Sequence, residues 1–314
     1  MNILVIQGIE SGVYYHRQYT PHYTWLDSGS DFADDFVVIV ETRHLDKLVD
    51  VLSQYRFDLV YFSLRFVIPR NFITMLDFLR KRNTKLVLDI DDYFKGFNEM
   101  KKDLKASDAI ITTSPQLQNF IYQRGGRNVH LIENGIDSKD EQFKLVDSPT
   151  DELWFGYLGS TRHEKDLESM LYKFDTENLH VVIPEYANIL NVKSTSVLRT
   201  YQEYATEYDK IHVALAPLVP NQFNSCKSIL KIVEAGFKKK ALIATATEPY
   251  TRYKELSPAI DLIPSGESWE RRVKSYTLSE ATEKGEQLYE LVQDYEIRKL
   301  NQKRREIYNL IISK

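Results

Sequence analysis

The sequence predicts an α/β protein with two doubly wound domains, each built on a parallel sheet, and helices at the C terminus. Two observations predict this fold. Short apolar, β-branched runs alternate with longer amphipathic stretches, and these runs form two separate series along the chain. Such runs are typical of parallel strands buried on both faces, with a helix crossing from each strand to the next. A length of 314 residues suits two domains of ordinary size.

The predicted strands and the segments between them define the domains. The first series comprises Ile3–Ile6, Phe36–Val40, Asp58–Phe62, Lys85–Asp89, Ala109–Thr112 and Val129–Ile132, and the second comprises Leu153–Tyr157, His180–Ile183, Ile211–Leu215, Ala241–Ala244 and Ile260–Ile263. Residues 144–152 are polar and lack an apolar period, which is typical of a linker. After Leu278 apolar residues recur at helical spacing. We therefore expect domains at 1–146 and 147–277 that face each other across a cleft. Residues 278–314 are expected to form helices, and one arrangement open to these helices is to pack back onto the first domain.

Composition narrows the classes of function. The single cysteine, Cys226, excludes an intramolecular disulfide, and no cluster of Cys and His has the spacing of a zinc site, so we expect a cytoplasmic protein. The N terminus is not typical of a signal peptide, and no apolar run is long enough to span a bilayer. A net charge of −4 gives no overall electrostatic attraction to nucleic acid, although local basic stretches remain.

The segment from Ile211 to Gly236 carries the strongest chemical signal. A predicted strand ends at its Ala-Pro-Leu sequence, and a helix is predicted to begin at Asn224 or Ser225, either of which can cap it. Lys227, Lys231 and Glu234 would then lie on one stripe of that helix. Two ammonium groups near a helix N terminus suit a diphosphate, and a carboxylate can accept hydrogen bonds from ribose hydroxyls. A solvent-exposed helix face held by Lys–Glu pairs is the alternative.

Several motifs in order along residues 1–250 resemble GT-B glycosyltransferases, and most closely the retaining, family-4-like group that uses nucleotide sugars. The motifs are Gly12–Pro21, Asp89–Tyr93, Ser107–Ser114, Glu133–Asp137, Gly156–Leu167, Phe223–Glu234, Ala241–Thr245 and Glu248–Tyr250. The first, with its Tyr-Tyr-x-Arg sequence, is similar to the opening of a bacterial and phage branch of that group. The resemblance implies a GT-B fold with two Rossmann-like domains.

The resemblance also implies roles for individual residues. Those expected to bind the donor are Gly12, Arg17, Gly159, Ser160, His163, Lys165, Asn224, Lys227, Ser228, Lys231 and Glu234. Those expected at the acceptor are Tyr15, His16, Asp91 and Asp92, and the expected catalytic residues are Lys227, Lys231 and Asp91. Cys226 stands where the family's Glu-x7-Glu element has its first Glu, so the usual contact to the transferred sugar is left open.

Alternatives remain for some of these residues. Tyr15 and Arg17 also suit core packing with a surface charge, and His163 also suits an ordinary helix start. Asp91 and Asp92 follow a predicted strand, where aspartates can cap a helix, contact an acceptor or hold a cation. Because the enzymes that this chain resembles generally need no metal for catalysis, we expect no metal site. Either aspartate would suit a catalytic base if the reaction inverts configuration.

The resemblance implies transfer of a sugar from a nucleotide-sugar donor, with a UDP-sugar favoured over a GDP-sugar, to an acceptor hydroxyl. No cofactor beyond that co-substrate is expected. The expected acceptor is a glycan or lipid-linked glycan. Hydroxymethylated DNA bases come second, because the resembled branch includes phage proteins, and a phosphate backbone would suit the basic stretches Arg80–Arg82, Lys101–Lys102, Lys238–Lys240 and Lys303–Arg305. A nucleotide-sugar epimerase or hydrolase, and a sugar-nucleotide sensor without catalysis, are the alternatives from other classes.

Overall fold

The computed structural model describes residues 1–8, 12, 14–41, 45–63, 77–93, 101–146, 151–159, 164–171, 178–182, 192, 194–197, 200–264 and 266–314. The chain forms two compact units. Unit 1 comprises Met1–Asp137, Cys226–Ser228 and Glu296–Lys314, and unit 2 comprises Ser138–Ser225 and Ile229–Tyr295. The first change of unit therefore comes after Asp137, ahead of the predicted linker.

Unit 1 contains a six-stranded parallel sheet. Its strands are β1 (Asn2–Gln7), β2 (Phe36–Glu41), β3 (Leu59–Ser63), β4 (Lys85–Ile90), β5 (Ala109–Thr112) and β6 (Val129–Leu131). Their order is β2-β1-β3-β4-β5-β6, and every neighbouring pair is parallel. The strand order therefore reverses at β1, which is the doubly wound arrangement that the sequence predicts.

Unit 2 contains a second six-stranded parallel sheet. Its strands are β7 (Phe155–Tyr157), β8 (Leu179–Val181), β9 (Ser194–Thr195), β10 (Val213–Ala216), β11 (Ala241–Thr245) and β12 (Ile260–Ile263). Their order is β12-β11-β10-β7-β8-β9, so the direction of winding changes between β7 and β10. The edge strand β9 is absent from the sequence prediction, because a strand of two residues has no measurable periodicity.

Helices alternate with the strands in both units. Within the described ranges the α-helices are, in chain order, α1 (Thr20–Tyr23), α2 (Leu45–Gln54), α3 (Lys101–Ala106), α4 (Pro115–Gln123), α5 (Glu164–Leu171), α6 (Gln222–Ser225), α7 (Leu230–Phe237), α8 (Trp269–Ser275), α9 (Leu278–Leu291) and α10 (Ile297–Ile312). A π-helical segment, Tyr14–Tyr19, precedes α1, and a 3₁₀ helix, Tyr204–Lys210, precedes β10. No described helix is long and apolar enough to cross a membrane.

The unit 1 sheet is covered by apolar side chains on both faces. Leu4, Val60 and Leu88 belong to one buried cluster, whereas their chain neighbours Val5 and Tyr61 belong to the other. Since successive side chains of a strand point to opposite faces, this alternation favours apolar residues at most positions of the strand. It explains why the strands are recognisable as continuous apolar runs. The C-terminal helices predicted from residue 278 are present as α9 in unit 2 and α10 in unit 1, and Leu300, Tyr308 and Ile311 of α10 complete the second cluster.

The prediction of one helix starting at Asn224 or Ser225 is wrong, because the chain forms α6 and α7 with a break between them. Cys226 is buried in the unit 1 core, and its carbonyl accepts a hydrogen bond of 2.7 Å from the Ser114 hydroxyl. The Ser228 hydroxyl accepts another of 3.0 Å from the Asn134 side chain. These contacts take residues 226–228 out of the helix. Lys227 therefore does not share a helix with Lys231 and Glu234.

Candidate functional site

The candidate site lies in unit 2, at the carboxyl ends of β7 and β10. These two strands are neighbours in the sheet, with Phe155 paired to Val213 and Gly156 paired to Ala214. They also flank the point where the strand order reverses. In open α/β sheets, ligands bind outside the carboxyl ends of the strands at such a point. The topology of unit 2 thus predicts that a ligand binds at the carboxyl ends of β7 and β10.

Lys231 and Glu234 of α7 form an ion pair at this place. The Lys231 Nζ atom lies 3.3 Å from the Glu234 Oε2 atom. It also donates to the carbonyl of Leu158, just after β7, at 2.5 Å and to the Tyr204 hydroxyl. The ammonium lies 4.4 Å from the centroid of the Tyr204 ring as well. The pair on α7 is therefore tied directly to the end of β7.

The Glu234 carboxylate is almost fully buried, with 2% of the residue exposed. Its Oε2 atom accepts a 3.0 Å hydrogen bond from the Tyr208 hydroxyl. Burial raises the pKa of Tyr208 far above its usual range, and the neighbouring Glu234 charge raises it further, so the phenol stays protonated as the donor. Burial lowers the pKa of Lys231, while Glu234 opposes that shift. The arrangement is a desolvated carboxylate held by one hydroxyl and one ammonium.

A second buried carboxylate, Asp166 of α5, organises the loop after β10. Its Oδ1 atom accepts hydrogen bonds of 2.8 Å from the Val219 amide and 2.8 Å from the Asn224 side-chain nitrogen. The same nitrogen donates to the Val219 carbonyl at 2.9 Å, which fixes the orientation of the amide group. The buried Oδ1 atom of Asn224 then has no donor within the described part of the chain. A buried acceptor of this kind suits a ligand or an ordered water.

Gly159 follows β7 in close contact with an aromatic ring. A Cβ atom at this position would lie 2.4 Å from the Cζ atom and the hydroxyl oxygen of Tyr157. Any side chain at position 159 would therefore displace Tyr157 or the backbone. The requirement for glycine here is steric, because Gly159 lies against the Tyr157 ring.

The other predicted donor residues are distributed over the chain. Lys165 is exposed on α5 in unit 2, whereas Gly12, Lys227 and Ser228 belong to unit 1. Ser160 and His163 lie outside the described residues. Of the eleven predicted donor residues, the structure thus brings together Gly159, Asn224, Lys231 and Glu234 around the carboxyl ends of β7 and β10.

Arg17 is fully buried in unit 1 and bonded to Asp89 of β4. Its Nη2 atom lies 2.5 Å from Asp89 Oδ1, and its Nε atom lies 3.1 and 3.2 Å from the two carboxylate oxygens. The Nη1 atom donates to the Ile132 carbonyl at 2.8 Å and to the Asn134 side chain at 3.2 Å. A contact between Arg17 and a donor phosphate would require this network to break.

The predicted acceptor residues also lie in unit 1. Tyr15 and His16 are buried in the π-helical segment, with ring centroids 5.0 Å apart. Asp91 and Asp92 are half-buried immediately after β4, and the Asp91 carbonyl accepts a 3.0 Å hydrogen bond from Thr113. Their predicted roles toward an acceptor stay predictions.

Sequence reasoning missed Tyr204, Tyr208 and Asp166 as partners of the site. Tyr204 and Tyr208 are four residues apart on the 3₁₀ helix before β10, and both contact the pair on α7. The four-residue spacing of Tyr204 and Tyr208 indicates that both could lie on one side of a helix. The stretch around them is polar and has no apolar period, so the spacing does not stand out. Asp166 is indistinguishable in sequence from an ordinary residue of the first helical turn.

Comparison with solved structures identifies the fold. The chain is similar to OtsA, a trehalose-6-phosphate synthase, with a TM-score of 0.66 and 9% identity over 98% of this chain and 99% of that chain. It is similar to the catalytic domain of starch synthase IV from Arabidopsis thaliana bound to ADP and acarbose, with a TM-score of 0.63 and 8% identity over 100% of both chains. The chain is also similar to the N-terminal domain of trehalose-6-phosphate phosphatase from Candida albicans, with a TM-score of 0.63 and 10% identity over 99% of this chain and 96% of that chain.

These likenesses, at 8–10% identity, show the fold alone. No protein-family model matches the chain, and no curated protein sequence matches it. Together with the two parallel six-stranded sheets, the comparisons confirm the predicted α/β GT-B fold with two Rossmann-like units and C-terminal helices.

Proposed function

We propose that the protein is a glycosyltransferase that binds a nucleotide-sugar donor in unit 2 and transfers the sugar to an acceptor hydroxyl. One observation carries the proposal: a buried carboxylate, Glu234, is paired with Lys231 at the point where the strand order of a GT-B unit reverses. A structural neighbour of the same fold is bound to ADP, a nucleoside diphosphate, which supports this choice of ligand class.

Glu234 is the proposed acceptor of hydrogen bonds from the donor ribose. An ionised carboxylate offers two oxygens and no donor, so it suits a pair of hydroxyl groups. The Tyr208 hydroxyl holds Oε2 at 3.0 Å and prevents the side chain from rotating away. Hydrogen bonds to an ionised acceptor in a dry site are stronger than those between neutral groups.

Lys231 is the proposed counter-charge for the leaving diphosphate. Negative charge accumulates on the diphosphate as the glycosidic bond breaks, and a preorganised ammonium stabilises that charge. The three N–H bonds of Lys231 now contact the Leu158 carbonyl, the Tyr204 hydroxyl and Glu234. A phosphate oxygen would replace one of the two neutral acceptors, since a charged acceptor is the stronger partner. Lys165 and Lys227 are proposed as further diphosphate contacts.

The family resemblance supports the finer features of the proposal. They are a UDP-sugar donor, retention of anomeric configuration, and catalysis without a metal or other cofactor. In a retaining reaction of this kind a donor phosphate oxygen takes the acceptor proton, so no protein base is required. Asp91 would be the candidate base if configuration were inverted instead.

An exposed aromatic ring of unit 1 supports a glycan acceptor. Tyr15, Tyr19 and Tyr23 form a stacked column with ring centroids 6.2 and 5.0 Å apart, and the outermost ring, Tyr23, is 67% exposed. An exposed aromatic ring suits the apolar face of a sugar.

Thermal unfolding with UDP, GDP, ADP, CMP, dTDP and their common sugar conjugates tests donor binding. A ligand at 100 times its dissociation constant stabilises the folded state by about 2.7 kcal/mol. We expect one nucleotide class to respond, and the response to be lost in Lys231→Ala and Glu234→Ala. Lys274→Ala is the matched control, because Lys274 is an exposed lysine of unit 2 paired with Glu270. A response unchanged in both site variants would exclude the proposed site.

Product analysis tests the reaction class. The responding donor is incubated alone and with saccharide acceptors of increasing length. A glycosylated product that forms only with the acceptor supports glycosyl transfer. A new epimer or a free sugar formed from the donor alone would show that the protein is an epimerase or a hydrolase. Salt-sensitive retention on duplex DNA, without saccharide product, would favour the DNA acceptor.

A further inference from the structure

A series of hydrogen bonds joins the edge of the unit 2 sheet to the 3₁₀ helix Tyr204–Lys210. His180 of β8 and Ser194 of β9 are partners in the strand register, and the His180 Nδ1 atom lies 2.8 Å from the Ser194 hydroxyl. On the other side of the ring, the Nε2 atom lies 2.7 Å from the Glu207 Oε2 atom. Glu207 belongs to the 3₁₀ helix, so the imidazole connects two strands of the sheet to that helix.

The direction of each hydrogen bond follows from the charge on Glu207. Burial raises the pKa of Glu207, but hydrogen bonds, first from His180 and then from Lys210, lower it to about 2. The carboxylate is therefore ionised at neutral pH and can only accept hydrogen bonds. The His180 Nε2 atom carries a proton, and when the ring is neutral its Nδ1 atom accepts from the Ser194 hydroxyl.

This linkage is shielded from water. His180 is 0% exposed and Glu207 is 9% exposed. Leu179 and Val181, on either side of His180, pack into the core cluster of unit 2, so the imidazole points to the opposite face of the sheet. An apolar side chain of similar size would fill the same space but would leave Glu207 without the Nε2 donor.

The same 3₁₀ helix carries both tyrosines that contact the ion pair of the proposed donor site. Tyr204 accepts a hydrogen bond from the Lys231 Nζ atom, and Tyr208 donates one of 3.0 Å to Glu234. Glu207 immediately precedes Tyr208 and follows Tyr204 by one turn of 3₁₀ helix. A shift of Glu207 would therefore move both hydroxyl groups relative to α7.

Other contacts hold the two ends of the 3₁₀ helix. The Ala205 amide donates to the Gln142 side chain at 3.0 Å, and the Lys210 Nζ atom donates to the Ser196 hydroxyl at 2.6 Å. Glu207 holds the middle of the helix. Loss of the imidazole should therefore displace the helix without unfolding it.

We propose that His180 is a positioning residue of the donor site. Through Glu207 it fixes the 3₁₀ helix, and the helix fixes Tyr204 and Tyr208 against the ion pair on α7. This role rests on the proposed function, since it links His180 to donor affinity. Donor affinity then depends on the hydrogen bonds made by residue 180 and not on its size alone.

Isothermal titration of the full chain with UDP, GDP, ADP, CMP and dTDP tests the proposal in His180→Leu and His180→Gln. Leucine fills a similar volume without hydrogen bonds, whereas the glutamine amide can donate to Glu207 and accept from Ser194. We expect the tightest nucleotide to bind about tenfold more weakly to His180→Leu, because small displacements of binding groups are costly. His180→Gln should bind it nearly as tightly as the natural chain does.

Hydrogen–deuterium exchange of the nucleotide-free chains shows whether the 3₁₀ helix has lost its anchor. The amides of residues 204–210 should exchange faster in His180→Leu than in His180→Gln or the natural chain. Ile260→Ala is the control for a general loss of stability, because it removes a buried side chain at the start of β12, on the sheet edge opposite β9. This control should unfold more easily without a change in nucleotide affinity.

The outcomes separate this proposal from the proposed function. If none of the five nucleotides binds the natural chain, the donor site is wrong and the role of His180 is wrong with it. If one binds and His180→Leu changes neither its affinity nor the exchange of residues 204–210, only the role of His180 is overturned. An equal loss of affinity in Ile260→Ala would also overturn it. Should His180→Leu fail to fold, Glu207→Ala removes the same hydrogen bond from the helix side and carries the test.

Discussion

The Tyr208 hydroxyl donates a hydrogen bond to the Glu234 carboxylate across 3.0 Å, and neither residue is more than 2% exposed. The two side chains come from different elements, the 3₁₀ helix before β10 and α7. Water has little access to Glu234, so the hydroxyl is a partner that solvent does not readily replace. Tyr208 is therefore expected to influence ligand binding indirectly, by holding the Glu234 carboxylate in place.

Tyr208→Phe should lower both stability and donor affinity. It keeps the ring but leaves the buried carboxylate short of a donor, which costs about 1–3 kcal/mol. Urea unfolding measures the loss of stability, and thermal shift with the responding nucleotide measures affinity. Tyr201→Phe, at a more exposed tyrosine of the same segment, should change neither. Equal behaviour of the two variants would contradict a positioning role for Tyr208.

The ion pair of Arg17 and Asp89 should be a large contributor to the integrity of unit 1. Both side chains are fully buried, so Arg17→Met leaves an uncompensated carboxylate and should cost about 3–5 kcal/mol. The double variant Arg17→Met/Asp89→Leu should recover much of this loss, because replacing both charges by apolar groups removes the desolvation penalty.

Urea unfolding of the two single variants and the double variant checks this prediction. Arg271→Met serves as the control, since Arg271 forms an exposed pair with Glu267 that should contribute less than about 1 kcal/mol. A double variant that is as unstable as the sum of the two single variants would show that the pair does not act as a unit.

Apart from β9, the strands of both units could be predicted from sequence, because the central strands are buried on both faces and form continuous apolar runs. In β1, Leu4 and Val5 pack into different apolar clusters, so no polar residue interrupts the run. The ion pair at the centre of the proposed donor site could also be predicted, since Lys231 and Glu234 are close along the chain and share α7.

The partners of that pair could not be predicted, because they come from distant segments. Tyr208 and Leu158 meet α7 only when the sheet has formed, and no local pattern marks them. The break between α6 and α7 also results from a contact between distant segments of the chain. The carbonyl of Cys226 is bonded to Ser114, a residue of unit 1, and this tertiary contact overrides the local preference for a continuous helix.

Gly159→Ala should disturb the backbone that follows β7. The added Cβ atom would lie 2.4 Å from Tyr157, so the ring or the backbone must move, at a cost of about 1–3 kcal/mol. Because Lys231 donates to the neighbouring Leu158 carbonyl, donor affinity should fall as well. In the double variant Gly159→Ala/Tyr157→Leu the clash is relieved, so the loss should be smaller than the sum of the single losses. Strict additivity in urea unfolding would contradict the proposed clash.

His22 should make unit 1 sensitive to acid. Its Nδ1 atom lies 2.8 Å from the Gln18 carbonyl, so Nδ1 carries the proton and Nε2 accepts a 3.0 Å hydrogen bond from the Tyr308 hydroxyl. Burial, followed by the charge of Arg304, lowers the pKa of His22 to about 3 from an ordinary value of 6.5. The unfolded chain therefore binds a proton at a higher pH than the folded chain. The contribution of His22 to stability is complete above about pH 6.5 and is lost progressively as the pH falls towards about 3.

Urea unfolding as a function of pH, compared between the natural chain and His22→Phe, isolates this contribution. Other titrating groups are common to both chains and cancel in the difference. We expect the natural chain to lose stability more steeply than the variant as the pH falls below about 6.5, because only the natural chain must take up a proton at this position on unfolding. Parallel curves would mean that His22 takes up its proton over the same pH range in the folded and unfolded chains, which would contradict a neutral His22 that accepts from Tyr308.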